Sequence, residues 1–530
     1  MEMTATMNDR PTVAVIGAGF SGVLTALRLL LAADGPRVTL IERGARFGRG
    51  AAYSTASPHH LLNVRAANMS AFVEEPSHFI DWLAQAGVDE PEKAFVTRDR
   101  YGQYLQSILR KATTDGRAVG RLALEHDEVR GLAREGERWR AQLALGRTLI
   151  ADAVVLALGN LPPPAPVDID EALAASGRYV ADPWAWDPAH TATPGDILLL
   201  GSGLTAVDIA LSLEGRRPGA RILALSRHGL LPRRHMEDPS RGAPARAPKG
   251  SPLDVLREVR RRGARDWRGA IDGLRPYVQG VWRGWSVEER MRFLRHLRPW
   301  WEVHRHRLAP EVAAHIEGFQ RAGFLGVCAG RLVHLRPAAE GVEAAWTARG
   351  SSDVKTRHFA QVVNCAGPRG DLTRSGDPLI ASLLAAGELR PDACRLGLDV
   401  DRRSRVVGSD GAARETLFAV GPITRGQFYE ITSVPDIRIQ AADCAEAVLN
   451  ALSQRARHLA AADESVDRVV ADLAVLLGEA IDDLDVELGA LRFSRRVRNA
   501  WELRGRRAAL GEIALWLDER RGAKGPERGR

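Results

Sequence analysis

Lysine is almost absent. Of 74 basic residues in this 530-residue chain, only Lys93, Lys111, Lys249, Lys355 and Lys524 are lysines, and the others are arginines. So lopsided a ratio reads as a compositional bias of the source. Cysteine is scarce as well: Cys328, Cys365, Cys394 and Cys444 lie far apart and form no Cys-x-x-Cys pair. That spacing argues against a disulfide framework, a cysteine zinc site and a dithiol redox centre. No apolar run reaches the length of a membrane span, since the best candidate, Leu24–Ala33, is broken by Arg28. Met1–Arg10 lacks the apolar core of a signal peptide. The expectations are a cytoplasmic, reducing setting, no membrane contact and disorder in the first few residues.

What remains is ordinary in amount. Hydrophobic residues make up 45% and charged residues 26%, which excludes wholesale disorder and collagen-like repeats. At roughly 100–200 residues per domain the length predicts about three domains. The formal charge is +8 and the pI near 9.7, a balance that invites a nucleic-acid or membrane reading until the charge is located.

The first strong pattern spans residues 12–42. Thr12–Ile16 is a buried-strand run, Gly17-Ala18-Gly19-Phe20-Ser21-Gly22 follows at once, Val23–Ala33 is helical, and Val38–Ile41 is a second strand ending at Glu42. Each part has a task in dinucleotide binding. Gly17 permits the tight turn, Gly19 lets backbone approach a pyrophosphate, and Gly22 allows close helix–strand packing. The helix N-terminus supplies partial positive charge, and Glu42 can accept both ribose hydroxyls.

A second copy lies downstream. Asp196–Leu200 is a strand, Gly201-Ser202-Gly203-Leu204-Thr205-Ala206 the turn, Val207–Leu213 a helix and Arg221–Leu225 another strand. This strand ends in Ser226-Arg227-His228 instead of an acid. A cation and a hydroxyl there suit a 2′-phosphate, so Glu42 marks FAD and Arg227 marks NADPH. Two unequal dinucleotide sites imply hydride transfer from nicotinamide to flavin.

With these motifs the chain resembles the two-dinucleotide-binding-domain flavoproteins, and among them the FAD/NAD(P)-binding family related to class B flavin monooxygenases and amino-acid N-hydroxylases. Phe47–Tyr53, His60–Ser70, Gly201–Asp208, Leu230–His235, Arg298–Arg305 and Gly421–Gly426 carry the likeness, which covers roughly residues 11–450. It implies an α/β fold of two Rossmann-like, glutathione-reductase-like domains. The expected division is an FAD domain in two parts (11–165 and 356–455), an NADPH domain (166–355) with an Arg/Trp-rich helical insertion (228–325), and a helical extension (456–530). Asn63, Met69 and Ser70 are expected near the isoalloxazine, with Asn63 bonding the flavin edge or an oxygenated intermediate, or else only capping a turn. Arg43 joins Glu42 among the FAD contacts, and Val129 meets adenine through backbone.

Two apolar strands, 153–158 and 361–366, end at Gly159 and Gly367 and read as domain crossings. The run 417–421 reaches Gly421 and is the late FAD motif. Pro422 stands where many relatives carry an aspartate, so that hydrogen bond to the ribityl chain does not transfer. A helix from about Ile437 to Leu452 is expected to aim its N-terminus at the flavin. Cys365 reads as a core residue, and Tyr101–Tyr104 as core packing at the start of an amphipathic helix.

The charge has an address. Residues 228–308 hold eighteen arginines and Lys249 against nine acids, with Trp267, Trp282, Trp285, Trp300 and Trp301 among them. Interleaved arginine and aromatics are one signature of single-stranded nucleic-acid binding. The capping box of Ser286 with Glu289 and the helical spacing of Met291, Leu294 and Leu297 favour a helical insertion with a solvated basic face. Trp300, Trp301, His304 and His306 either line a substrate pocket or pack against the NADPH domain. Beyond residue 455, Val466, Val469, Leu473, Leu476 and Leu477 form one stripe, read as a packed terminal extension or as an oligomerisation or lid element. Ile481–Glu487 is acidic, Arg492–Arg507 basic, and Gly522–Arg530 is expected to fray.

The expected activity is that of an FAD monooxygenase reduced by NADPH. It would use a flavin C4a-hydroperoxide to oxygenate a small nucleophile such as an amine, with molecular oxygen as co-substrate and no metal. A flavin reductase without oxygen insertion and a flavin-containing nucleic-acid binder are the alternatives. The Phe-x-Gly-x-x-x-His fingerprint of class B enzymes and the Phe-Ala-Thr-Gly-Tyr signature of N-hydroxylases are both absent from the chain.

Overall fold

The computed structural model describes residues 10–494 apart from 56, 116–117, 188–193, 215, 217–218, 237–245 and 369, with the side chains of the last helix described only in part. Expectations for the first nine residues, for most of Arg492–Arg507 and for Gly522–Arg530 lie outside that range. The chain divides into two units, Met1–Leu449 and Asn450–Arg530.

In the first unit β1 (Thr12–Ile16) leads through α1 (Phe20–Leu31) to β2 (Arg37–Glu42), which lies parallel to it with Ile16 opposite Ile41. After α2 (His78–Gln85) and α3 (Arg98–Thr114), β3 (Leu122–His126) extends the sheet beside β2. The strands β4 (Val129–Glu135), β5 (Arg138–Leu143) and β6 (Thr148–Ala151) form a separate three-stranded meander, and β7 (Ala153–Leu156) returns beside β1. Alternation of buried and exposed residues along Arg138–Leu143 is what a half-solvated antiparallel strand requires. The unbroken burial of Ala153–Leu156 suits a parallel strand covered on both faces.

The same plan then repeats. Past α4 (Glu171–Ala175) and β8 (Tyr179–Val180), β9 (Ile197–Leu200), α5 (Leu204–Leu213) and β10 (Ile222–Ser226) form a second parallel strand–helix–strand unit. Among the described residues six helices follow: α6 (Pro252–Arg262), α7 (Trp267–Asp272), α8 (Val278–Gly284), α9 (Val287–His296), α10 (Arg298–Arg305) and α11 (Pro310–Arg321). Then β11 (Leu325–Ala338) runs parallel to β10 and opens an antiparallel meander with β12 (Gly341–Ala348) and β13 (Val354–Phe359). β14 (Gln361–Asn364) returns between β9 and β8. Beyond α12 (Pro378–Ala385) the chain rejoins the first sheet: β15 (Arg405–Val407) pairs antiparallel with β16 (Ala413–Ala419), which lies parallel to β7. A 61-residue helix, α13 (Val434–Ser494), follows. It starts three residues ahead of the expected Ile437 and does not stop at Leu452. Within the second unit Val469, Leu473 and Leu476 of the apolar stripe are 54%, 46% and 60% exposed.

The insertion is fastened to the late FAD segment. Trp282 is fully buried and stacks on Tyr429 with ring centroids 4.4 Å apart, while its indole N–H donates to the Gly426 carbonyl at 2.8 Å. Trp301 donates to Glu430 Oε1 at 2.7 Å. Burial of Trp282 and Trp285 removes both from any base-stacking surface. Trp300, Trp301 and His304 line an apolar cavity of about 530 Å3 inside the insertion, and His306 Nδ1 lies 2.8 Å from Glu302. The predicted capping box forms, with Ser286 accepting from the Glu289 amide. Among the apolar residues of that helix, however, Phe293 is the buried one, while Met291 is exposed.

A buried ion pair joins helices α3 and α5. Arg98, at the start of α3, places Nη2 2.8 Å from Asp208 Oδ2 on α5, with the two side chains only 16% and 8% exposed. His60 donates from Nε2 to the Asp208 carbonyl at 2.9 Å, and its Nδ1 lies 2.7 Å from the Thr55 hydroxyl. Burial is the largest influence on both side chains: it lowers the His60 pKa, keeping the ring neutral, and raises that of the Asp208 carboxyl against the pull of Arg98. Removing the guanidinium strands that carboxylate. Arg98→Ala is therefore expected to destabilise the protein by about 3–5 kcal/mol in a urea titration. A loss below about 1 kcal/mol would mean a solvent-screened pair instead.

Candidate dinucleotide sites

The two glycine-rich turns have one geometry. Gly17 has φ +101° and Gly201 φ +122°, values that exclude a side chain without strain. A Cβ on Gly17 would stand 2.4 Å from the Ala157 carbonyl oxygen, and a Cβ on Gly201 would stand 2.4 Å from that of Cys365. The Gly17 amide donates to the Ile41 carbonyl at 2.8 Å, and the Gly201 amide donates to the Leu225 carbonyl at the same distance. Gly19 and Gly203 cap their helices with nearly the same backbone (φ −75°, ψ −168° and φ −82°, ψ −166°), with no side-chain cap and no acid in the first turn. Both helix N-termini therefore keep their backbone donors for an anion. Gly22 packs hard against the turn, where a Cβ would lie 1.8 Å from the Gly17 carbonyl oxygen. Phe20 is buried below the loop beside Tyr53 and Tyr101. Leu204 and Thr205 open α5 and remain partly accessible.

The sugar ends differ in charge. Glu42 Oε2 accepts from the Ala18 amide at 2.8 Å and Oε1 from the Gly44 amide at 2.7 Å. The carboxylate is thus held in place with further acceptor sites for ribose hydroxyls. Arg43 turns aside, 3.4 Å from Glu128 and 3.8 Å from Asp377, and Val129 is buried at the start of β4. At the second site Ser226 Oγ accepts from the Gly229 amide at 3.0 Å, while Arg227 is exposed. Burial lowers the His228 pKa, and Arg349 and Arg227 lower it further, which places both guanidinium groups near this ring. Neither arginine has a carboxylate partner among the described residues. Arg349, on the turn after β12, was not singled out from the sequence because 122 residues separate it from Arg227.

The crossings converge on the first site. Gly159 and Gly367 both have positive φ, +69° and +87°, and Gly159, Pro368 and Pro422 line one small pocket. A Cβ on Gly421 would stand 2.3 Å from Ser21 Oγ, so the late motif rests on the first turn of α1. Buried Gln440 fixes it, accepting from the Gly421 amide at 2.8 Å and donating to Thr424 Oγ1 at 3.0 Å. The first turn of α13 carries Asp436, whose negative charge offsets the positive end of the helix dipole there.

Of the residues expected beside the isoalloxazine, Asn63 lines a cavity of about 280 Å3 together with Asn68. Its carbonyl accepts from His235 Nε2 at 3.0 Å. Burial and the neighbouring Arg307 push the His235 pKa down to about 4, so the ring is neutral. Met69 and Ser70 are spent on the loop itself. The Met69 carbonyl accepts from the Tyr101 hydroxyl at 2.9 Å, and the Ser70 hydroxyl donates to the Glu75 carbonyl at 2.6 Å.

Comparison with known proteins bears on the fold. Residues 14–161 match a family model described as FAD-NAD(P)-binding. No curated protein matches the chain by sequence. Among solved structures, the reduced form of ornithine hydroxylase from Pseudomonas aeruginosa is 16% identical, with a TM-score of 0.55 over 84% of this chain and 99% of that one. Ornithine N-hydroxylase from Kutzneria sp. 744, solved with reduced FAD, NADP+ and L-ornithine, is 15% identical with a TM-score of 0.57 over 83% and 99%. L-lysine 6-monooxygenase from Pseudomonas syringae is 17% identical with a TM-score of 0.56 over 83% and 99%. Identities this low establish the fold, two Rossmann-like dinucleotide-binding domains.

The arginine pair at β10 makes a direct prediction. In initial-rate measurements Arg227→Ala and Arg349→Ala should each raise the KM for NADPH by about tenfold, the loss of one charge-assisted phosphate contact, and leave that for NADH nearly unchanged. Equal effects on the two coenzymes would remove the 2′-phosphate assignment.

Proposed function

We propose that this chain, which has the two-dinucleotide flavoprotein fold, is an NADPH-dependent FAD monooxygenase acting on a small nucleophilic molecule, an amine among the candidates. The carrying observation is the matched pair of turns at Gly17 and Gly201, one ending in Glu42 and the other in Arg227 and Arg349. FAD belongs to the part built from 11–165 and 356–455, NADPH to 166–355, and the insertion 228–325 covers the space beside them. Bound FAD would supply the redox chemistry, the capacity to take hydride from NADPH and to pass electrons to oxygen. In the overall reaction one oxygen atom goes to the substrate and the other leaves as water, formed with the hydride of NADPH and one proton from solvent, while NADPH becomes NADP+.

The residues bind, orient and exclude water. The α1 and α5 N-termini and Glu42 hold the dinucleotides, and the Arg98–Asp208 pair holds α3 against α5. The Trp282–Tyr429 stack closes the late FAD segment to solvent, as oxygen chemistry at a reduced flavin requires. No neighbouring dithiol competes for the electrons. The four cysteines are free thiols, and Cys365, Cys394 and Cys444 are buried, which raises the pKa of each. Free thiols also support a reducing, cytoplasmic location.

An oxygen-consumption assay with a panel of amines and amino acids tests the reading. A productive substrate should consume NADPH and yield hydroxylated product in near-equal amounts, with little hydrogen peroxide. Peroxide equal to the NADPH consumed, with every candidate recovered unchanged, would point to the reductase alternative.

A further inference from the structure

Helix α7 and the turn after it separate two cavities by face. Arg268, Asp272 and Arg275 line the one beside Asn63, whereas Trp267, Ile271 and Leu274 line the apolar one of about 530 Å3 within the insertion. Spacings of three and four residues put each set on its own side of the chain. Every helix from α6 to α10 contributes to the apolar wall, and Tyr429 of the late FAD segment completes it. Among the described residues, none of its lining belongs to the Gly17 or Gly201 turn or to the strand ends at Glu42 and Arg227.

The wall is aromatic, and its polar atoms are largely spent on the protein. Trp282 donates its indole N–H to the Gly426 carbonyl at 2.8 Å, Trp285 to the Gly250 carbonyl at 2.9 Å and Trp301 to Glu430 Oε1 at 2.7 Å. These three rings have only carbon left to offer a ligand. His304 donates from Nδ1 to the Trp300 carbonyl at 2.7 Å, and its ring meets Trp267 edge-on with centroids 4.9 Å apart. Trp282 and Trp285 are buried, Trp267 and Trp301 half-buried, and Trp300 is 42% exposed. The wall thus grades from core to solvent, which gives a small molecule a way in past Trp300.

Protein interiors keep few gaps larger than a water molecule, yet bulky rings on α7, α8, α9 and α10 hold this one open. Its volume falls within the roughly 300–1,000 Å3 of small-molecule sites, which are likewise mostly apolar. Residues 237–245, which precede the lining Pro248, contain no aromatic or branched aliphatic side chain, so they carry no group of the kind this wall accommodates. A charged ligand would lose its hydration among these rings without gaining a partner. Arg260, the lining residue with a permanent charge, is exposed, and water screens it. Aromatic walls favour aromatic guests, which add edge and face contacts to the area they bury.

We infer that this cavity binds an uncharged aromatic molecule of two or three fused rings, at a site separate from both dinucleotide turns. Such binding is independent of the monooxygenase reading.

Calorimetric titration of the FAD-loaded protein at neutral pH tests it with three probes: 2-naphthol, its saturated analogue decahydro-2-naphthol, and the anion 2-naphthoate. 2-Naphthol is expected to bind one to one, several-fold tighter than the saturated ring and tighter than the anion. Saturating NADP+ should leave that affinity unchanged. Leu256→Trp and Val259→Trp, which fill the cavity from α6, are each expected to weaken 2-naphthol by about tenfold or more, with thermal unfolding identifying at least one folded variant. No binding of 2-naphthol, tighter binding of the saturated or anionic probe, displacement by NADP+, or full affinity in a folded filled variant would overturn the inference.

Discussion

Each dinucleotide turn in this protein is pressed against the end of a neighbouring strand, with no room for a single methyl group between them. At Gly17 the obstacle is the Ala157 carbonyl, and at Gly201 it is the Cys365 carbonyl, both 2.4 Å from where a Cβ would stand. That contact links three features. It requires glycine at the first position of each motif, it brings the crossing strands β7 and β14 beside β1 and β9, and it leaves each helix N-terminus facing outward with its donors unspent. Two copies of one steric constraint thus produce two turns suited to an anion, each between parallel strands of its own mixed sheet.

What distinguishes the copies is the charge at the next strand's end and the way they are tied together. Glu42 is held by two backbone amides, whereas Arg227 and Arg349 stand in solvent, so one site suits sugar hydroxyls and the other a phosphate. The Arg98–Asp208 pair, with neutral His60 beside it, then fixes helix α3 to helix α5. Burial makes that link sensitive to the loss of either partner. The insertion adds a second tie through Trp282, Tyr429 and Glu430, which also places its arginines around the cavity at Asn63.

Local features were legible in the sequence because their physics is local. Both glycine turns and the Ser286 capping box are patterns within about thirty residues. The assignment of Glu42 and Arg227 to opposite sugar ends needed only strand ends. Features assembled across long separations were not legible. Arg98 meets Asp208 from 110 residues away, and Arg349 joins Arg227 from another turn. The excess charge of 228–308 was visible as composition, yet sequence spacing does not show that Arg268, Arg305 and Arg307 converge with Arg65. Side chains beside the expected flavin ring were equally opaque: Ser70 has the right neighbours in sequence, but its hydroxyl is consumed by its own loop.

On the proposed reading, the two turns hold partners for hydride transfer, NADPH at Gly201 and FAD at Gly17. Anaerobic stopped-flow mixing tests this most directly, by following the visible absorbance of the FAD-loaded protein after addition of one equivalent of NADPH. Complete bleaching in a single turnover is expected, much slower with NADH at the same concentration. A flavin that stays oxidised with both coenzymes would contradict it.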